Sequence, residues 1–186
     1  MCKYIFSLLI VAAAMLLATP GTEARFYIDI PDVETNCIPA NTPLTINVKM
    51  NNITGENVIG MANGFRIYSP EGAVWQVPTV SSEIGDYFDL VFAINGFSVD
   101  GSGADTIGLT GVAVTAPGVP NGYDDVVLVI NTQVEESEIG KTFCIDSSWF
   151  PPMGSWQWVT PSGTVIPEWE GPYCYIIYPS LATIEG

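Results

Sequence analysis

The side chains that carry most acid–base and metal chemistry are scarce in this chain. It has no histidine, which removes Ser-His-Asp and Cys-His machinery and the commonest metal ligand. Two carboxylates can still hydrolyse a glycosidic bond, and the most suggestive pair is Glu168 and Glu170, either side of Trp169. On a strand both would face one side, their Cα atoms about 6.5–7 Å apart. Catalytic carboxylates usually come from separate segments across a cleft, so the expectation is a protein that is not an enzyme. Calcium is the one ion the sequence suggests. The segment Asp100-Gly101-Ser102-Gly103-Ala104-Asp105 offers oxygens from Asp100, Ser102 and Asp105 in a Gly-rich loop, the kind of donor set hard cations take. Asp86 and Asp89, or Asp124 and Asp125, could approach from neighbouring connections. The segment lacks the acid at the twelfth position of a helix-flanked calcium loop, and an ordinary acidic turn is the competing reading. No cofactor is required.

Aromatic residues are the most distinctive feature. Trp149, Phe150, Trp156, Trp158, Trp169, Tyr173 and Tyr175 crowd into one stretch, with Pro151, Pro152, Pro161, Pro167 and Pro172 among them. Trp156 and Trp158 are two apart and on a strand project from one face. Exposed rings stack on sugars or anchor a protein partner, so Trp149, Trp156, Trp158, Trp169 and Tyr173 form the candidate ligand-binding set. The competing reading is that they fill one end of the core, where each Trp buries a large area. Asn52-Ile53-Thr54 matches the N-glycosylation acceptor pattern.

The elements that position these residues are strands. After residue 24 no helical period appears. Leu44, Ile46, Val48 and Met50 alternate with Thr45, Asn47 and Lys49, the pattern of a half-buried strand. Further strands are expected at Arg25–Ile30, Gly64–Ser69, Ala73–Val77, Tyr87–Ile94, Ile107–Thr115, Val126–Asn131, Thr142–Asp146, Trp156–Thr160 and Tyr173–Tyr178. Asn-Gly at 63–64, 95–96 and 121–122, Asp-Gly at 100–101 and Pro70-Glu71-Gly72 read as turns. Acids clustered over Glu135–Gly140 before a strand read as a polar turn, with a short helix the alternative. With 18 Gly and 14 Pro, the fold class is all-β: a single antiparallel β-sandwich, cohesin-like, jelly-roll or Ig-like, of about 9–10 strands.

Charge and cysteine set the surroundings. Acids outnumber bases 20 to 5, for a net charge of −15, which argues against nucleic acid and against docking on an anionic membrane. Only 13% of residues are charged and 48% are hydrophobic, so the chain folds rather than forming an acidic tail. Ile5–Ala18 is an apolar run after Lys3, shorter than the roughly 20 residues of a bilayer span. It ends at Thr19-Pro20-Gly21, and Thr22-Glu23-Ala24 supplies small residues for a signal peptidase. Residues 1–24 are therefore expected to be a signal peptide and residues 25–186 one secreted domain with no membrane insertion. Of the cysteines left, Cys144 and Cys174 are the expected disulfide in an oxidising compartment. Cys37 is then left over, and pairings of Cys37 with either of the others stay open.

The stretch Pro39-Ala40-Asn41-Thr42-Pro43, followed by Leu44–Met50, a polar segment, Met61–Tyr68 and Pro70-Glu71-Gly72, resembles the opening strands of cohesin-like sandwiches. Those domains resemble certain carbohydrate-binding modules in fold. Asp100–Gly111 and Cys144–Trp158 resemble segments of secreted bacterial proteins of the same sandwich type. The resemblance implies a non-catalytic binding role, for a glycan or an extracellular protein partner. A structural subunit of an extracellular surface is the alternative, and a carbohydrate-active enzyme the third reading.

Overall fold

Two facing sheets bury the alternate residues that the sequence marks as apolar. The computed structural model describes residues 23–31, 33, 36–97, 105–148 and 156–180; Trp149, Asp100 and Ser102 lie outside them, as does the side chain of Asp105. The strands are β1 (Arg25–Asp29), β2 (Cys37–Pro39), β3 (Pro43–Asn51), β4 (Gly60–Tyr68), β5 (Thr79–Ser82), β6 (Leu90–Phe97), β7 (Asp105–Val112), β8 (Asp124–Gln133), β9 (Thr142–Ser148), β10 (Gln157–Thr160), β11 (Gly163–Val165), β12 (Glu168–Trp169) and β13 (Tyr173–Tyr178).

Sheet A runs β12-β1-β3-β8-β5 and sheet B runs β11-β10-β4-β9-β13-β2, with β7 on the free side of β4 and β6 beyond it. Strand β4 changes partner along its length: Gly60–Ala62 pair with β10 and Gly64–Tyr68 with β9. Both sheets are mixed, because β1 lies parallel to β12 and β2 parallel to β13. The expectation of a purely antiparallel sandwich is corrected there; the rest of the pairing is antiparallel.

Phe26 and Ile28, Leu44 through Met50 at every second position, and Leu128 and Ile130 meet Met61, Phe65, Ile67, Ile107, Leu109, Phe143, Ile145 and Trp158 across the interface. Strand β3 fits its sequence pattern residue by residue, Leu44, Ile46, Val48 and Met50 being buried. Its register with β8 shifts between Val48 and Lys49, and this bulge lets Val127 and Leu128, adjacent in sequence, both be buried.

Some local expectations change. Ala73–Val77 forms no strand; Trp75 makes a single bridge to Val134. Asn63-Gly64 is not a turn but sits in the middle of β4, its residues paired with Leu109 and Gly108. Asn95-Gly96 falls at an irregularity within β6. Asn121-Gly122 and Pro70-Glu71-Gly72 are turns as the residues imply, with Gly122 and Gly72 at φ of 85° and 71°. Glu136–Glu138 is a single 3-10 turn.

Candidate binding surfaces

The spacing of Trp156 and Trp158 does put their rings on one face, but that face points inward. Trp158 is 0% exposed and ranks among the largest fully buried side chains. Phe26 from β1 packs edge-on against Trp158 at 5.1 Å and Trp156 at 5.4 Å. Phe65 touches Trp156 and Trp169 at 5.5 and 5.6 Å, and Trp169 meets Tyr173 at 5.5 Å. Three of the polar edges are used internally: Trp156 Nε1 donates to Pro167 O at 2.6 Å, Trp169 Nε1 to Asp146 Oδ1 at 3.0 Å, and Tyr173 Oη to Glu170 Oε2 at 3.2 Å. These rings close one end of the sandwich. The expected ligand set is corrected for Trp158, which has no surface to offer; Trp156, Trp169 and Tyr173 keep part of theirs.

Glu168 and Glu170 stand exposed on the two-residue edge strand β12 and its continuation. Glu170 pairs with Arg25 at 2.7 Å and accepts from Tyr173. The pair lies along one edge, without the facing arrangement that glycoside hydrolysis uses. The other acids singled out are held locally. Asp89 accepts backbone N–H groups from Val114, Thr115 and Ala116 at 2.5, 2.7 and 2.9 Å, and the Thr115 hydroxyl at 2.5 Å. Those donors hold its carboxyl far below the usual range. Asp124 accepts from Tyr27 Oη at 2.6 Å, and Asp125 from the Val126 N–H at 2.7 Å. Among the described residues no three Asp, Glu, Cys or His side chains gather as a metal cluster.

Asn52 is not a glycan acceptor in the fold. Its side chain is buried, and Nδ2 donates to Glu56 O, Val119 O and Pro120 O, each at 3.0 Å. Its Oδ1 accepts from the N–H and hydroxyl of Thr54. The tripeptide that reads as an acceptor motif is a brace between two loops.

Cys144 and Cys174 are bonded and face each other across the β9–β13 ladder, Cα atoms 4.2 Å apart. Closing a 30-residue separation restricts the unfolded chain and stabilises by about 3–4 kcal/mol in the chain-entropy description. Cys37 is also disulfide-bonded in the full chain, and the pairings of Cys37 with Cys144 or Cys174 that the sequence left open do not occur.

The surface that sequence reasoning missed is the outer face of sheet B. Along β6, Val91 and Ala93 turn inward against the core, which sends Leu90 and Phe92 outward, 57% and 50% exposed. In register beside them come Val112 with Gly60, Thr110 with Ala62, and Gly108 with Gly64. The result is a flat floor of small residues, with Leu90, Phe92 and Val112 raised along one side. A Cβ on Gly60 would come 3.3 Å from the Val159 side chain, a tighter contact than ordinary packing. Arg66 marks the far end, paired with Asp146 at 3.0 Å and lying 4.6 Å from the Tyr68 ring. On a chain of net charge −15, this row of β6, β7 and β4 residues is uncharged. The signal was present in Leu90-Val91-Phe92-Ala93-Ile94: a run apolar at both parities, lying at a sheet edge rather than its middle.

No family model and no curated protein matches the sequence. Solved structures do match in fold. The seventh ScaB type I cohesin from Pseudobacteroides cellulosolvens aligns with a TM-score of 0.56 at 9% identity, over 84% of this chain and 94% of that one. The cohesin module of a Clostridium perfringens family 33 glycoside hydrolase gives 0.54 at 11% identity, over 86% and 100%. The sixth cohesin of Acetivibrio cellulolyticus scaffoldin B, solved in complex with a dockerin, gives 0.51 at 12% identity, over 85% and 99%. The fold is a cohesin-like β-sandwich. At these identities the likeness is one of fold.

Proposed function

We propose that this chain is an exported, non-enzymatic module that binds a protein partner through the outer face of sheet B. The observation that carries the reading is the uncharged row of Leu90, Phe92 and Val112 beside the Gly60–Ala62–Gly64 floor. A flat apolar strip rimmed by polar surface is what a protein interface requires, whereas sugar recognition needs rings open to water. Of the described rings singled out for that role, Trp158 is in the core and Trp156, Trp169 and Tyr173 are partly buried against it. The likeness in fold to a module solved with a protein bound supports a protein over a glycan. The apolar leader and the cysteine pairing support export to an oxidising space.

The test uses the domain immobilised and exposed to extracellular proteins of its source. Proteins retained by the wild type and by an Ile166→Lys control, but lost with both Leu90→Lys and Phe92→Lys, support the reading. Retention unchanged in both β6 variants, or selective retention on a glycan array that survives them, overturns it. A second reading, self-assembly, is favoured by one feature: β6 is the outermost strand on its side of sheet B, with no further strand paired to it among the described residues. Sedimentation of the purified domain that shows a dimer lost in Phe92→Lys would select it.

A further inference from the structure

One side of sheet B ends in the hairpin of β10 and β11, and the connection from β3 in sheet A to β4 in sheet B passes its tip. Between hairpin and connection lies a cavity of about 470 Å³, open to solvent. Thr54, Gly55 and Glu56 line one wall, and Thr160, Ser162 and Thr164 the other. Glu56 joins the walls: Oε2 accepts the Ser162 N–H at 3.1 Å and Oε1 the Ser162 hydroxyl at 2.6 Å. The first wall is fixed from behind. Thr54 N–H donates to Asn52 Oδ1 at 3.2 Å, Gly55 N–H to Asn121 Oδ1 at 2.8 Å, and Glu56 N–H to Thr54 Oγ1 at 3.3 Å. A cavity with walls held this way needs little ordering to receive a ligand.

The protons around this cavity are largely spent. Thr54 Oγ1 lies 2.8 Å from Asn52 Oδ1 and 3.0 Å from Glu56 O, the Thr160 hydroxyl donates to Gly163 O at 3.2 Å, and that of Ser162 goes to Glu56. A hydroxyl has one proton and two lone pairs, so these groups have lone pairs left to offer. Hydrogen bonds from the Ser162 hydroxyl, the Thr160 hydroxyl and the Ser162 N–H, in that order, hold the Glu56 carboxyl below its usual range. No lining residue is basic, and the ion pairs among the described residues go to Glu170, Asp146 and Glu138 instead. An occupant must therefore bring donors and positive charge. A sugar would find few donors for its oxygens and no ring to stack on. A calcium ion takes about six to eight oxygens, several of them charged, against one carboxylate here. A guanidinium pairs best with both oxygens of a carboxylate at once, and Ser162 already holds Glu56 in that way. An ammonium carries three rotatable protons that suit acceptors spread round a cavity. We propose that this cavity binds a primary ammonium group, of a lysine side chain or a small amine, with Glu56 as its counter-charge and the hydroxyl oxygens as further acceptors. The net charge of −15 draws such a cation toward the protein.

The experiment titrates the protein at low salt with Nα-acetyl-lysine amide and follows backbone amide shifts by NMR. Saturable shifts centred on Gly55, Glu56, Ser162 and Gly163 are expected, and none with Nα,Nε-diacetyl-lysine amide, which lacks the charge. In Glu56→Gln, which keeps the shape and an acceptor for the Ser162 N–H, affinity should fall at least about tenfold. Butylammonium binding as tightly as the lysine amide marks a free amine as the source, and weaker binding marks a side chain. Shifts as strong around the exposed Asp86, Glu135 and Glu136 as around the cavity overturn the proposal, as does an affinity unmoved in a folded Glu56→Gln. Should that variant fail to fold, Thr164→Lys decides, since it sets an ammonium of the chain's own on the exposed side of β11. Loss of probe binding there supports the site, and unchanged binding overturns it. Phe92→Ser leaves the titration as it is, so failure of the outer-face reading and failure of this one are told apart.

Discussion

Replacing Asn52 tests whether its tripeptide is a modification site or a brace. In Asn52→Ala the carbonyls of Glu56, Val119 and Pro120 lose the amide that lies 3.0 Å from each, and the N–H and hydroxyl of Thr54 lose their acceptor. The amide has two hydrogens for three carbonyls, so two full donated bonds and two accepted ones are at stake. At a net of about 1 kcal/mol each, somewhat more where a buried acceptor is stranded, the loss comes to about 3–5 kcal/mol. Asn52→Asp separates hydrogen bonding from shape. A carboxylate there faces three carbonyl oxygens out of water, so its folded pKa rises above the unfolded value of about 3.9. The folded state then holds the proton longer than the unfolded one, and stability falls as pH rises past about 4. Urea melts at pH 4 and pH 7 read both effects: Asn52→Ala equally destabilised at the two values, Asn52→Asp much worse at pH 7. A loss below about 1 kcal/mol in Asn52→Ala would falsify the bracing argument.

Three further outcomes follow from the same geometry. Trp158→Ala should cost about 3–5 kcal/mol by denaturant melt, while Phe92→Ser on the outer face should change stability by less than about 1 kcal/mol; equal losses would mean that the two faces of sheet B are wrongly assigned. Asp89, whose folded pKa is lowered by the amides of the Val114–Ala116 segment, contributes stability that is present above the unfolded pKa and lost as pH falls below about 4. Asp89→Asn should therefore flatten the acid limb of the stability curve between pH 4 and pH 2, and an unchanged limb refutes it. If Asp100 and Asp105 share a calcium ion, chelator should lower Tm and Asp105→Asn should abolish that sensitivity; a melt indifferent to chelator removes calcium from the account.

The strands that could be read from sequence were those whose period and burial agree, β3 above all: each inward residue is apolar, each outward one is not, and neighbours lie on both sides. What escaped was set by partners far along the chain. Strands β2, β11 and β12 are two or three residues long, too short to show a period, and exist only because β13, β10 and β1 present an open edge. Asn63-Gly64 carries a strong turn signal, yet pairing with β7 along its whole course keeps β4 extended through it, an override of local preference by tertiary context. The same logic governs Trp158 and its neighbours. Trp156 and Trp158 were legible as one face, but periodicity carries no sign, and nothing in the segment says whether that face looks in or out. Phe26, more than a hundred residues away, decides it by filling the space between their rings. Leu90 and Phe92 were hidden by the converse: Val91 and Ala93 make the run read as buried on both sides, and only the packing of two sheets, which covers one face of sheet B, leaves the other face bare. For a sandwich, then, sequence finds which residues share a face, while the order of strands assigns that face to core or to partner. That is why the candidate surface moves from the aromatic end to the outer face of sheet B.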